Sequence, residues 1–113
     1  MRVSSSYTPF MINLQTTSWL FLVLALSSQK EPASLKGISQ IADAINHSVP
    51  TQKEMESSLS WLLKQGLIIT VAKKYSLTER GNKIFIATQN ETNVLLKMWR
   101  SIEDKFNELK SEV

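Results

Sequence analysis

The stretch from Ile38 to Phe85, ISQIADAINHSVPTQKEMESSLSWLLKQGLIITVAKKYSLTERGNKIF, constrains the fold more than any other part of the chain. It reads as two short helices, a two-stranded ribbon and a helix start. Ile38, Ile41, Ala42 and Ile45 share one face at helical spacing, which predicts a helix from Ile38 to about Asn46. Gly37 is an acceptable N-cap for it, and Asn46 suits the left-handed turn that ends it. Ala33-Ser34-Leu35-Lys36 just before it suits a short first strand. His47-Ser48-Val49-Pro50 is the turn. Thr51-Gln52-Lys53-Glu54 then has the form of a capping box, in which a hydroxyl and a carboxylate each satisfy the other residue's amide.

The next helix runs to about Gln65, with Met55, Leu59 and Leu62 as its buried stripe. Gly66 stops it, because a left-handed C-cap tolerates no Cβ without strain. Leu67 to Val71 is β-branched and apolar, hence a strand. Lys73-Lys74 falls at the ribbon tip, Tyr75-Ser76-Leu77 returns, and Thr78 can cap a further helix near Glu79. This order of elements is that of the winged helix-turn-helix, in which the later of the two short helices enters a DNA major groove and the ribbon touches phosphate beside it. The expected fold class is mainly α (α+β), a winged helix-turn-helix with a short β-ribbon wing and a long C-terminal helix.

The flanks add two helices. The first, from about Thr17 to Ser28, is apolar on every side and should be buried all round, against a second chain or the C-terminal helix. Its run Trp19 to Leu26 is eight residues, far short of the roughly 18–20 that span a membrane. A buried helix is the preferred reading over a signal peptide: polar residues break the run from Phe10-Met11-Ile12 and no small-x-small cleavage pattern closes it. At the other end, Leu95, Trp99, Ile102, Phe106, Leu109 and Val113 follow a heptad spacing, which favours a helix–helix seam. The expected organisation is an arm over residues 1–13, a winged-helix domain over 14–90 and a dimerisation helix over 91–113.

Composition narrows the chemistry. The absence of Cys removes disulfides and thiolate sites and fits a reducing, cytoplasmic setting; no cofactor is implied. One His without partners at ligand spacing gives no metal site. His47 reads as a turn residue beside Asp43, Asn46 and Glu54 rather than as a switch. No phosphate loop or nucleophile–base pair occurs at motif spacing, so an enzyme is not expected. The net charge is +3, and between Lys30 and Lys83 eight basic residues face five acidic ones, so the surplus lies on the candidate DNA-binding region.

Leu59-x-x-Leu62, Gly66-Leu67-Ile68 and Tyr75-x-Leu77-Thr78-Glu79-x-Gly81 resemble the end of the reading helix, the wing and the following helix of bacterial winged-helix regulators, typically the MarR and PadR groups. The resemblance covers about residues 35–87. Two departures stand out: the Gly-Tyr signature of PadR proteins is replaced by Ile38-Ser39-Gln40-Ile41-Ala42, and the turn through Val49-Pro50 is longer than in MarR proteins. Ala42 to His47 with Pro50-Thr51 and Glu54 also resembles a group of bacterial winged-helix-like proteins that has no assigned DNA site.

The resemblance and the helix pattern together give the expected site. Thr51, Gln52, Lys53, Ser57 and Ser60 face outward to double-stranded DNA, and Lys73 and Lys74 grip phosphate, with Lys36, Arg80 and Lys83 able to extend the patch. Gln reads adenine, Lys reads guanine, and Ser serves base or phosphate. Leu95, Trp99, Ile102, Phe106 and Leu109 are expected to form a homodimer interface together with the first helix, placing two reading helices about 34 Å apart. Trp61 and Leu63 lie outside the buried stripe and are expected to pack on the first or last helix, with Trp19, Trp61 and Trp99 in one cluster; a small-molecule pocket lined by these aromatics is the alternative. Glu56, the modest charge and the apolar first helix motivate a different class of function, a protein-interaction or assembly module without nucleic acid.

Overall fold

The computed structural model describes residues 13–46 and 50–111. Five helices occur among them, α1 (Leu14–Ser27), α2 (Leu35–Asn46), α3 (Gln52–Lys64), α4 (Glu79–Glu91) and α5 (Leu95–Ser111), with strands β1 (Ile68–Val71) and β2 (Lys74–Leu77) between α3 and α4. The strands pair antiparallel from Ile68↔Leu77 to Val71↔Lys74. The fold is therefore mainly helical with one small antiparallel sheet. The turn His47-Ser48-Val49, the expected His47 cluster and almost all of the expected N-terminal arm lie outside the described residues.

α1 is the centre of the molecule. Leu20 through Ala25 have no solvent exposure, because α2, α3, α4, α5 and β2 all pack around this helix. Its start is earlier than the apolar run suggests: the Asn13 side chain accepts from the Thr16 amide at 3.2 Å and recruits Leu14 to Thr16 into the helix.

The partner that α1 needs is α5 of the same chain. The Trp19 and Trp99 rings are 4.9 Å apart, and Trp99 Nε1 donates to the Gln15 carbonyl at 2.8 Å. Phe106 meets Phe21 edge-on at 5.2 Å and Trp61 at 5.2 Å. The rising contacts 99 with 15 and 19, then 106 with 21, mean that the two helices run in the same direction. Ile102 and Phe106 are fully buried, and Trp99 and Leu109 are half-buried against the same core. Of the residues expected at a homodimer interface, Trp99, Ile102, Phe106 and Leu109 pack against the core of their own chain, while Leu95 remains exposed. Full burial of Ile102 and Phe106 contributes about 1.5–3 kcal/mol each.

The aromatic cluster also differs from expectation. Trp61 packs on Phe106 rather than on the Trp19–Trp99 pair, and Leu63 remains 39% exposed. Met55, Leu59 and Leu62 form the buried stripe of α3 as expected.

Two local expectations change around α2. Ser34, not Gly37, caps it: the Ser34 hydroxyl accepts from the Gly37 amide at 3.0 Å, and a hydroxyl satisfies an orphan donor that Gly cannot. The helix consequently absorbs Leu35 and Lys36. Of the expected first strand only Ala33 remains, in an isolated bridge to Tyr75 with both bonds at 2.7 Å.

Candidate nucleic-acid interface

The position of α3 is fixed at both ends. Thr51 Oγ1 accepts from the Glu54 amide at 3.1 Å, and Glu54 Oε1 accepts from the Thr51 amide at 2.9 Å. This completes the capping box. Gly66 adopts φ +72° after the helix, sending the chain into β1. The ribbon is then tied back: Thr78 Oγ1 donates to the Gly66 carbonyl at 2.6 Å and accepts from the Gly81 amide at 3.1 Å, while the Thr78 amide donates to the Leu67 carbonyl. One threonine thus joins the end of α3, the base of the ribbon and the start of α4.

The buried stripe of α3 turns its other face outward. Gln52, Lys53, Ser57 and Ser60 are all exposed, as expected, and Lys64 continues the row. The spacing 53, 57, 60 and 64 follows the helical repeat, so these side chains stand above one another on a single face. Lys64 escapes a reading of the sequence because it lies in the last turn, far from the N-terminal residues that usually reach bases. Thr51 is exposed, and its hydroxyl oxygen accepts the cap bond while the O–H is left to donate. Gln52 Nε2 donates to Glu56 Oε2 at 3.2 Å. The acidic Glu54 and Glu56 offset Lys53 and Lys64, so α3 itself carries no net charge.

The positive charge comes from the ribbon. β1 and β2 are joined by Ala72 and Lys73, both with positive φ, at 51° and 67°. Two left-handed residues in a two-residue loop form the type I′ geometry that matches strand twist. Ala and Lys adopt it only under strain, as Asn-Gly is the favoured pair. Lys73 therefore occupies the turn, and Lys74 opens β2; both are exposed. Lys36, Arg80 and Lys83 are exposed as well, on α2 and α4.

α2 and α3 meet through Ser39 and Met55, whose hydroxyl and sulfur are 3.7 Å apart. Above that contact lies a groove of about 130 Å³ lined by Leu35, Lys36, Ser39, Gln52, Met55 and Glu56. The surface thus offers hydroxyls, one amide and ammonium groups, which suit hydrogen bonding to polar edges and anions. No group of three or more His, Asp or Glu side chains among the described residues could hold a metal ion, and no described helix is long and apolar enough to cross a membrane.

No protein-family model, no curated protein and no solved structure matches the chain.

Proposed function

We propose that the chain is a DNA-binding regulator of winged helix-turn-helix type. In this reading α3 enters the major groove and the β1–β2 ribbon is the wing. The observation that carries the reading is the row Lys53, Ser57, Ser60 and Lys64 on the outer face of α3. It is followed directly by a ribbon whose turn presents Lys73 beside Lys74. Hydroxyls and an amide suit base edges, while lysines on a protruding turn suit phosphate, which positions a protein without specifying sequence.

Pairing of two copies belongs to the same proposal. With Ile102 and Phe106 sealed inside, it falls to the exposed apolar residues just before and at the start of α5, namely Val94, Leu95 and Leu96. The test of the function is binding to random-sequence duplex. The double variant Lys73→Ala, Lys74→Ala should bind every sequence more weakly, and its log–log salt slope should be shallower by roughly 0.9 for each phosphate that it no longer neutralises. Unchanged affinity would remove the wing from the interface.

One observation favours a protein-interaction module instead. Ile69 and Val71 point outward from β1 and are 42% and 44% exposed. An apolar, uncharged edge strand is a template for pairing with another chain. Absence of duplex binding at low salt would make this the leading reading.

A further inference from the structure

Glu56 is the side chain on α3 that fits a nucleic-acid surface worst, since a carboxylate repels phosphate. Its one hydrogen bond assigns it a task. Resting on the reading above, we infer that Glu56 locks the Gln52 amide into the orientation that reads adenine rather than guanine, making the pair a specificity determinant.

Gln52 is the first residue of α3, exposed, and on the wall of the groove whose opposite wall is Leu35 and Lys36 of α2. Its Nε2 donates to Glu56 Oε2 at 3.2 Å. An ionised carboxylate can only accept, so the amide must turn its nitrogen, not its oxygen, to Glu56. That leaves one N–H and Oε1 for a base edge: one donor beside one acceptor. In the major groove adenine presents the complement, the N7 acceptor and the N6 amino donor. Guanine presents two acceptors, N7 and O6, and the Gln52 oxygen would face O6 with no proton between them. A free glutamine can turn so that both of its N–H groups face guanine. Glu56 occupies one of them and removes that alternative. The lock also fixes a side chain that otherwise has several rotamers to lose on binding. Lys36 of α2 lines the same groove as Glu56.

The experiment is enrichment of a randomised duplex library by the wild-type chain and by Gln52→Ala, Glu56→Ala and Glu56→Gln, with affinity for the unselected library measured beside it. The wild type should select adenine at one position, and Gln52→Ala should lose about tenfold of the adenine-over-guanine preference there. Glu56→Ala should bind the unselected library more tightly yet lose the same preference. Glu56→Gln, whose amide can donate as well as accept and so no longer forces the Gln52 orientation, should also lose the preference. A merely structural role for Glu56 would not separate affinity from preference in this way. Selection by the wild type with the adenine preference intact in Gln52→Ala or Glu56→Ala would overturn the inference alone. No salt-dependent binding of the wild type to the library would overturn the DNA-binding reading, and the inference with it.

Discussion

The Leu67 carbonyl oxygen lies 2.0 Å from the point where a Cβ on Gly81 would stand. Glycine is therefore required there by the closeness of two backbones, not by an unusual dihedral. The contact sets the distance between α4 and the chain leaving α3, and hence the angle at which the ribbon departs. Gly81→Ala should destabilise the fold by about 3 kcal/mol, because neither backbone can yield as a flexible side chain would. For a chain of this size that corresponds to a melting midpoint lower by about 10 °C or more. A shift below about 2 °C would mean that α4 is free to move away.

The strained turn gives a prediction of opposite sign. Replacing Ala72 and Lys73 by Asn and Gly supplies the residues that prefer positive φ at both positions. Ala72→Asn with Lys73→Gly should raise stability by about 1–2 kcal/mol in denaturant unfolding. In the proposed function the same variant should weaken duplex binding, because it takes away an ammonium group that faces phosphate. Equal or lower stability would show that the turn is held by something other than local backbone preference.

Inside the core, Thr17 and Ser58 share a hydrogen bond at 2.9 Å between α1 and α3, and both are buried. Ser58→Ala alone should cost about 1–3 kcal/mol, since it strands the Thr17 hydroxyl away from water. Thr17→Val alone strands Ser58 in the same way. The double variant should cost clearly less than the two combined, a coupling that a thermodynamic cycle reads directly. Additive costs would mean that neither hydroxyl depends on the other.

The corner between α4 and α5 should respond to pH. Glu91, the last residue of α4, accepts from the Ser101 hydroxyl and from Lys105 Nζ, the latter at 3.0 Å. The Ser101 bond, then Lys105, holds its carboxyl below the ordinary carboxylate value. A depressed pKa in the folded state adds stability that is present above the unfolded value and lost as pH falls through the folded one. Glu91→Gln should therefore melt slightly below the wild type at pH 7 and level with it near pH 2. The effect should be small, because the pair is exposed and solvent-screened. A difference that persists unchanged at low pH would contradict the charge-based account.

Much of this structure is legible in the residues. Thr51-x-x-Glu54, Gly66 and Thr78 are local signals whose physics is complete within a few residues, and each governs the element that its position in the chain implies. α1 can be read as buried because no face of it is polar. What covers it cannot be read: a heptad pattern such as Leu95 to Leu109 describes a sticky face without naming its partner. That the partner is α1 of the same chain follows from the path of the whole chain, which returns α5 alongside α1. Ser34 is hard to find because capping depends on which amide a hydroxyl reaches, and Gly37 lies closer to the apolar periodicity. On the candidate site, the outward face of α3 follows from its inward stripe. The pairing of Gln52 with Glu56 is not among the expectations, although their separation by four residues on a helix is the signal that could have given it.

In the proposed function α3 and the ribbon form a surface for duplex DNA. Its most direct test is the affinity of the purified chain for random-sequence duplex at two salt concentrations. Micromolar or tighter binding at low salt that falls steeply as salt rises is the expected result, as phosphate neutralisation requires. No binding even at low salt would contradict it and direct attention to a protein partner at Ile69 and Val71.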